Sequence, residues 1–367
     1  MKIIGVGDIM PGGLLSGTSK SCATEDVLAV LLDADIRIGT LECALGNEPT
    51  YDAEKVADRG NVIYAKEDDV KRLKELHIDI VSLANNHFFD LGEIGAKRTI
   101  ELLDAANIMH IGAGSNLDEA SKPVVIRKEE KTIAFLAFCD TDYNNVFWCT
   151  YATMNTPGVN PMTEEHVITS IKQCAQENDI VVVFPHWGTE HVFYPNLSTY
   201  RMAKVMIDAG ADIILGSHPH RIQPTLSLNK KYIVYSMGNF LFPERLIAPP
   251  KVTYYSDVPI DVSTLPITDG YPKVKSVTLK TLPYLQRVGM IIKVEIGDDG
   301  VVLDSVLTYL NKENCIELLC EKDVSVIQKK LFRITIPMKF HVYPTFVKTK
   351  EFALLLYRKL KSYTKWI

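Results

Sequence analysis

The chain has no apolar run long enough to cross a bilayer. It has no CxxC pair either. Its cysteines are Cys22, Cys43, Cys139, Cys149, Cys174, Cys315 and Cys320, an odd and scattered set. That is the pattern of free thiols in a reducing compartment, not of a disulfide framework. Positive charge is short: 40 Lys and Arg against 45 Asp and Glu leave a formal net charge of -5. A dedicated nucleic-acid binder would carry a basic footprint, so nucleic acid is not an expected partner. A small anionic substrate remains allowed, because a local positive site can hold it inside an acidic protein. Internal repeats and low-complexity segments are also missing. Met1 leads through MKIIGVGD straight into a strand-like stretch, without the basic region, apolar core and cleavage site of a leader. The expected location is therefore the cytoplasm, with association at a membrane as the variant. What is present is ordinary for a globular protein: 47% hydrophobic and 23% charged residues in 367. That suffices for one large α/β domain with appendages, or for two domains.

Short apolar runs recur along the chain, at Lys2 to Val6, Ile36 to Leu41, Ile78 to Leu83, Ile108 to Ile111, Ile133 to Phe138, Ile180 to Phe184, Ile213 to Leu215 and Ile233 to Tyr235. They are continuous rather than alternating, which predicts strands buried on both faces. Stretches of helical period lie between them: Thr24 to Leu32, Lys66 to His77, Gly92 to Ala106, Thr163 to Glu177 and Ser198 to Ala209. Thr24 and Thr163 are the expected caps, and Glu164 and Glu165 suit a helix dipole. Strand alternating with helix predicts an α/β fold. After Phe242 the pattern breaks. Residues 243–285 hold many prolines and little periodicity, as an insertion or flap would. Two apolar runs around Gly297-Asp298-Asp299-Gly300 then predict a hairpin. The expected organisation is one domain over 1–320 with a tail over 321–367.

Six strand ends carry residues of the types that ligate metals. Asp8 follows the first, Glu42 the second, and Asn85-Asn86-His87 with Asp90 the third. His186 and Glu190 follow the Ile180 run, His218-Pro219-His220 the Ile213 run, and Gly238-Asn239-Phe240 the last. Loops past the carboxyl ends of strands converge in α/β sheets and bind ligands there. Taken singly, each residue is an ordinary turn or surface position. Together, carboxylate, amide oxygen and imidazole suit Mn, Fe, Zn or Mg, one or two ions. Two ions bridged by a carboxylate would lower the pKa of a bound water and clamp a phosphoryl or carbonyl oxygen. His77, His110, His166 and His341 are read as structural or surface residues.

The segments GVGDIM, TLECALG, VSLANNHFFDLG, FPHWGTEH, GADIILGSHPHRIQP and IVYSMGNFLF occur in this order. They resemble the hallmark motifs of the CapA family of poly-γ-glutamate capsule synthesis proteins, over roughly Met1 to Phe242, about two thirds of the chain. That family in turn resembles the calcineurin-like metallophosphatases. The resemblance implies an αββα sandwich of metallophosphatase type, here followed by a C-terminal helical tail. It implies Asp8, Glu42, Asn86, His186, His218 and His220 as metal ligands, with Glu42 as the bridge. It implies His87 as acid or oxyanion stabiliser, Asp90 as the group orienting it, and Glu190 of the HWGxE motif as a metal or substrate contact. Met10 stands where a metallophosphatase has a histidine two residues after the Asp. The CapA family generally lacks that histidine too, and the first subsite is left short of a donor. Thr40 stands where the family usually shows Asn.

The expected function is a metal-dependent hydrolase or transferase acting on a phosphate ester or amide of a capsule precursor or polymer. The rival is a non-catalytic, metal- and anion-binding component of a capsule synthesis or export complex. The tail from Thr345 to Ile367 is expected to be a basic amphipathic helix. Phe352, Leu355, Leu356 and Leu360 would form its apolar stripe, and Lys348, Lys350, Arg358, Lys359, Lys361 and Lys365 its charge. It would dock on the domain or reach an anionic membrane surface or membrane partner.

Overall fold

The structure is a computed structural model. It describes residues 1–47, 61–128, 130–142, 146, 149–249, 251–256, 258–269, 274–298, 300–339 and 342–363, the last ten of these by backbone alone. The continuous apolar runs become strands of two sheets. In the first, Lys2–Ile9 lies parallel to Ile36–Leu41, which continues to Ile80–Ser82 and Met109–Ile111. On the other side of Lys2–Ile9 runs the antiparallel hairpin Val288–Gly297 and Gly300–Leu310, then Ile316–Leu318. In the second sheet, Lys131–Asp140, Ile180–His186, Ile213–Leu215 and Lys231–Val234 lie parallel in that order.

Alternate side chains show how the layers stack. Phe135, Ala137, Val182, Phe184, Ile213 and Leu215 join one core with Ile3, Val6, Ile38 and Ile80 of the first sheet. Ala134, Leu136, Phe138, Val181, Val183 and Ile214 face the other way. They pack against Val167 and Ile171 of helix Glu164–Glu177 and Ala203 and Met206 of helix Leu197–Ala209. Helices Glu25–Leu32, Val70–Glu75 and Gly92–Ala105 supply Val27, Leu31, Leu73 and Leu103 to the core of the first sheet. The architecture is an αββα sandwich. The sheets approach so closely that a Cβ on Gly5 would lie 2.6 Å from Leu215 Cδ1.

Several local expectations are corrected. Thr24 and Thr163 stand at their helix starts in extended conformation, but neither side chain makes a cap hydrogen bond. Asn196 does, accepting from the Thr199 amide at 2.9 Å. The helix expected over Lys66 to His77 begins as a 3-10 turn, Glu67–Asp69, before Val70–Glu75. The Asp69 carboxylate accepts the Lys66 amide at 3.0 Å and the Ser16 hydroxyl at 2.8 Å, which holds that tighter turn. Residues 243–285 are not without regular structure. Arg245–Ala248, Val252–Tyr254, Ile267–Thr268 and Thr278–Lys280 form a small sheet of their own. Their strands are two to four residues long, too short to print a period on the sequence.

Beyond Cys320 the chain forms helices Glu321–Lys339 and Tyr343–Tyr363. Ile334, Met338, Tyr343 and Val347 enter the helix-side core of the second sheet. The Tyr343 hydroxyl donates to the Pro195 carbonyl at 2.6 Å. The side chains of Leu355, Leu356, Arg358, Lys359, Leu360 and Lys361, and the whole of His341, Lys365 and Ile367, lie outside the described residues. No helix among the described residues is long and apolar enough to cross a membrane.

Candidate metal centre

The carboxyl ends of the parallel strands of both sheets meet at one place. Lys2–Ile9 brings Asp8 there. Gly7 before it is required, because a Cβ at that position would lie 1.8 Å from the Gly238 carbonyl oxygen. The chain leaves the second sheet after Val234 and enters the first as Asn239–Leu241, parallel to the first strand with Asp8 beside Asn239. His186 ends its strand and bridges to Ser217. The loop beyond Leu215 then places two imidazoles with backbone φ of +94° at His218 and +49° at His220. Left-handed backbone at two bulky residues is uncommon and costly, and such strain gathers at functional sites.

Asp8, Glu42, His186 and His218 are fully buried, and Asn86, His87 and His220 nearly so. Two groups of potential ligand atoms form within 4.8 Å, namely Glu42–His186–His218 and Asp8–Glu42–His220. They share Glu42, whose Oε1 lies 3.5 Å from Nε2 of both His186 and His220. Asn86 Oδ1 is 3.0 Å from His186 Nε2, and His218 Nδ1 is 3.0 Å from the same nitrogen. The six residues expected as ligands thus lie together. Asp90 accepts from His87 Nδ1 at 2.7 Å and from the Ile63 amide at 2.7 Å. Glu190 belongs to neither ligand group; its carboxylate is 3.3 Å from His191 Nε2. Met10 is fully buried in the apolar core.

The electrostatics fit cations at this place. Burial, with the Asp8 charge next, drives the Glu42 carboxyl well above the usual range. Burial also pushes Asp8 up to about 8, against the His218 amide and the Ser217 hydroxyl. The same burial, with neighbouring imidazoles, holds His186 and His220 well below theirs, so both are neutral and competent as ligands. Above all, neither oxygen of the buried Glu42 carboxylate has a hydrogen-bond partner among the described residues. A buried carboxylate in that state is strongly destabilising unless a cation compensates it. The donors present, carboxylate, amide and imidazole without thiolate, fit a hard or borderline divalent ion.

Sequence reasoning missed the residues that aim the ligands. Ser217 Oγ is 3.0 Å from His186 Nδ1, and Thr40 donates to Ser217 at 3.1 Å. Asn239 Oδ1 is 2.8 Å from His220 Nδ1, while its amide donates to the Gln286 carbonyl. Each of these contacts leaves the Nε2 of its histidine turned to Glu42. His191, which attracted no notice in the sequence, lies with its ring 5.8 Å from that of His220. Asn239 and Ser217 stand in strand-end clusters and Thr40 stands where the family usually shows Asn, but none of the three carries a sequence signal for the hydrogen bond it makes.

The profile of the family described as "Bacterial capsule synthesis protein PGA_cap" matches residues 2–244. The chain belongs to this family. The PGA biosynthesis protein CapA of Bacillus subtilis is 34% identical over 244 residues, 65% of this chain and 62% of that protein. The capsule biosynthesis protein CapA of Bacillus anthracis is 32% identical over 283 residues, 73% of this chain and 68% of that protein. The chain therefore spans about three fifths to two thirds of the length of these relatives. Among solved structures, a candidate 5'-nucleotidase of Staphylococcus aureus in complex with α-ketoglutarate aligns over 91% of this chain and 58% of its own, at 12% identity and a TM-score of 0.46. All six expected ligands, with His87, Asp90 and Glu190, fall inside the matched span. It ends one residue before Arg245.

Proposed function

We propose that this chain is a metal-dependent hydrolase or transferase of capsule biosynthesis, acting on a phosphate ester or amide of a polymer or its precursor. The observation that carries the reading is the Glu42 carboxylate, buried, without hydrogen bonds among the described residues, and flanked at 3.5 Å by two Nε2 atoms. Glu42 would bridge two ions. Asn86, His186 and His218 would complete one shell, and Asp8 and His220 the other. When bound, such ions act as Lewis acids on a phosphoryl or carbonyl oxygen and lower the pKa of water. The chain's own residues supply the rest. Asp90, an acceptor already fixed by the Ile63 amide, accepts a hydrogen bond from His87 Nδ1 and so orients the ring. With Nδ1 as the donor to Asp90, His87 Nε2 is the nitrogen that can give a proton to a leaving group when both ring nitrogens are protonated. Ser217 and Asn239 hold the other imidazoles in their ligand orientation.

A non-catalytic reading has one specific support. Met10 is a core side chain, so the Asp8–Glu42–His220 group gains nothing from it. A panel of phosphate monoesters, diesters and amides, assayed with Mn, Zn and Fe, separates the two. Turnover that falls on replacing His87 by Ala, with metal retained, supports the enzyme. Bound metal without turnover on any substrate supports the binding protein. Contact with an anionic membrane surface belongs to the same proposal, through helix Tyr343–Tyr363, where Lys348 and Lys350 flank the docked turn. Cosedimentation with anionic vesicles at low salt tests it, and protein that stays in the supernatant rejects it.

A further inference from the structure

Where the C-terminal helices meet the loop after His186, they leave a cavity of about 540 Å³. That is the size of a site for one small molecule. The loop lines it with Phe193 and Tyr194. Helix Glu321–Lys339 adds Lys330, Arg333 and Ile334, whose i, i+3, i+4 spacing puts them on one face. Helix Tyr343–Tyr363 adds Phe346, Lys350 and Ala353, which share a face at i, i+4, i+7. The lining is thus of two kinds. Its body is aromatic and aliphatic, and every charge on it is positive.

These cations are held but not neutralised. Lys330 Nζ lies 3.4 Å from the centre of the Phe193 ring, and Lys350 Nζ 5.6 Å from that of Phe346. A ring face attracts a cation without cancelling its charge. Arg221, the residue after His220, lies against the same Phe193, with its guanidinium carbon 5.5 Å from the ring centre. Its Nε and Nη1 are buried without a hydrogen-bond partner among the described residues. Among those residues no carboxylate pairs with Arg221, Lys330, Arg333 or Lys350. Burial, and then the charges of Arg221 and Lys350, lower the Lys330 pKa. Like charges gathered against apolar surface repel one another, and an anion in the cavity offsets that repulsion.

We propose that this cavity binds a soluble anionic amphiphile, a single molecule with a phosphate or carboxylate head and an apolar body. The head meets Lys330, Arg333 and Lys350, and the body lies on Phe193, Ile334 and Phe346. Phosphate and carboxylate share the required chemistry, oxygens that accept charge-assisted hydrogen bonds from ammonium and guanidinium groups. A bare anion would leave the aromatic lining unused, and an uncharged apolar molecule would leave the cations without a counter-charge. The site stands apart from the metal-centre reading, since none of its lining residues is a proposed metal ligand.

Titration calorimetry on the full chain tests this, with chelator present so that no bound ion takes up the anion. The probes are octyl phosphate and octanoate below their micelle concentrations, inorganic phosphate, and octyl glucoside as the uncharged amphiphile. At least one octyl anion should bind, and inorganic phosphate and octyl glucoside should each bind about tenfold more weakly or worse. Octyl phosphate alone assigns a phosphate head, and octanoate alone a carboxylate. The double variant K330Q/R333Q should weaken the octyl anion about tenfold or more. Both positions are exposed, so it should fold. A353W should weaken binding similarly by filling the cavity, and the double variant carries the test if A353W does not fold. Octyl glucoside binding as tightly as the octyl anions overturns the proposal, leaving an apolar patch only. Inorganic phosphate binding as tightly overturns it too, leaving an anion site without an apolar part. Equal binding by wild type and K330Q/R333Q does the same. So does a wild type that binds neither octyl anion, even where it sediments with phosphatidylglycerol vesicles, because the basic face then meets a membrane surface instead.

Discussion

The two ligand groups that share Glu42 are built unequally. Around His186 the donors are neutral apart from Glu42. Asn86 and His218 lie at 3.0 Å from its Nε2, and Ser217, itself held by Thr40, fixes the other ring nitrogen. Around His220 the partners are two carboxylates, Asp8 and Glu42, and Asn239 is hydrogen-bonded to the ring at Nδ1. One group has more donors and less charge, the other fewer donors and more charge. The difference teaches that the halves of a paired centre need not fill together. The first should hold its ion tightly, and the second should fill at higher metal concentration.

The largest effect should come from His186→Ala. It removes a ligand from the richer group and leaves Asn86 and His218 without the ring they face. Loss of an orienting neighbour alone costs about 10–100-fold in metal affinity, and loss of the ligand itself should exceed that. Metal analysis after dialysis should find the tight ion gone and activity, if assayed, abolished. Unchanged metal content would mean that the ligands are misassigned.

A smaller, selective effect should follow from the orienting residues. Ser217→Ala should weaken the tight ion and Asn239→Ala the weak one, each by about 10–100-fold. Titration calorimetry with Mn resolves the two steps. If both variants weaken the same step, the halves are not independent.

The pattern of legibility follows from distance along the chain. Asp8, Glu42, Asn86, His186, His218 and His220 could be read because each ends a strand, and a strand end is a local signal. Ser217 and Asn239 matter through one hydrogen bond each to residues 31 and 19 positions away. A sequence prints no such pairing. The burial of Arg245 and Lys280 depends on strands that pair across the proline-rich segment. Charged residues in an aperiodic stretch read as a solvated loop, so the segment looked like an irregular flap. Thr24 and Thr163 misled in the other direction, being the right residue types at helix starts whose side chains make no cap bond. The docking of the tail was half legible. Its helix showed in the sequence, but Tyr343, which inserts fully buried beside Tyr200, lies just before the stretch that carried the amphipathic pattern.

The charge difference between the halves should appear in the pH dependence of stability. With metal removed, burial pushes Asp8 up to about 8 and Glu42 well above its ordinary value of 4.5. The folded protein then holds protons that the unfolded chain has released, so stability falls as pH rises from about 4 through 8. His186 and His220 act the other way, since their folded pKa values lie well below 6.5. Their penalty is present in acid and has vanished above that value. Between pH 6.5 and 8 the carboxylates alone remain, and the Tm of chelated protein should drop. With Mn bound, Asp8 and Glu42 are ionised as ligands, metal affinity rises with pH, and the drop should disappear. Parallel Tm profiles in chelator and in Mn would count against carboxylate ligation.

The smallest effect, and the one that addresses the inequality directly, is expected from Met10→His. Met10 is two residues after Asp8, just past the end of strand Lys2–Ile9, whose pairing shifts register between Asp8 and Ile9. The methionine is fully buried in the apolar core, where a thioether is no ligand for a hard ion. An imidazole there should first destabilise the chelated protein by about 1–3 kcal/mol, because a buried polar ring lacks partners. If the ring reaches an ion held by Asp8 and His220, metal should restore the loss, and the weaker calorimetric step should tighten by about tenfold, the low end of what a single well-placed group contributes. Chelated and Mn-loaded melting curves of the variant separate these contributions. A variant destabilised equally in both conditions, with the weak step unmoved, would show that position 10 faces the core alone and that the shortage of donors in the second group lies elsewhere.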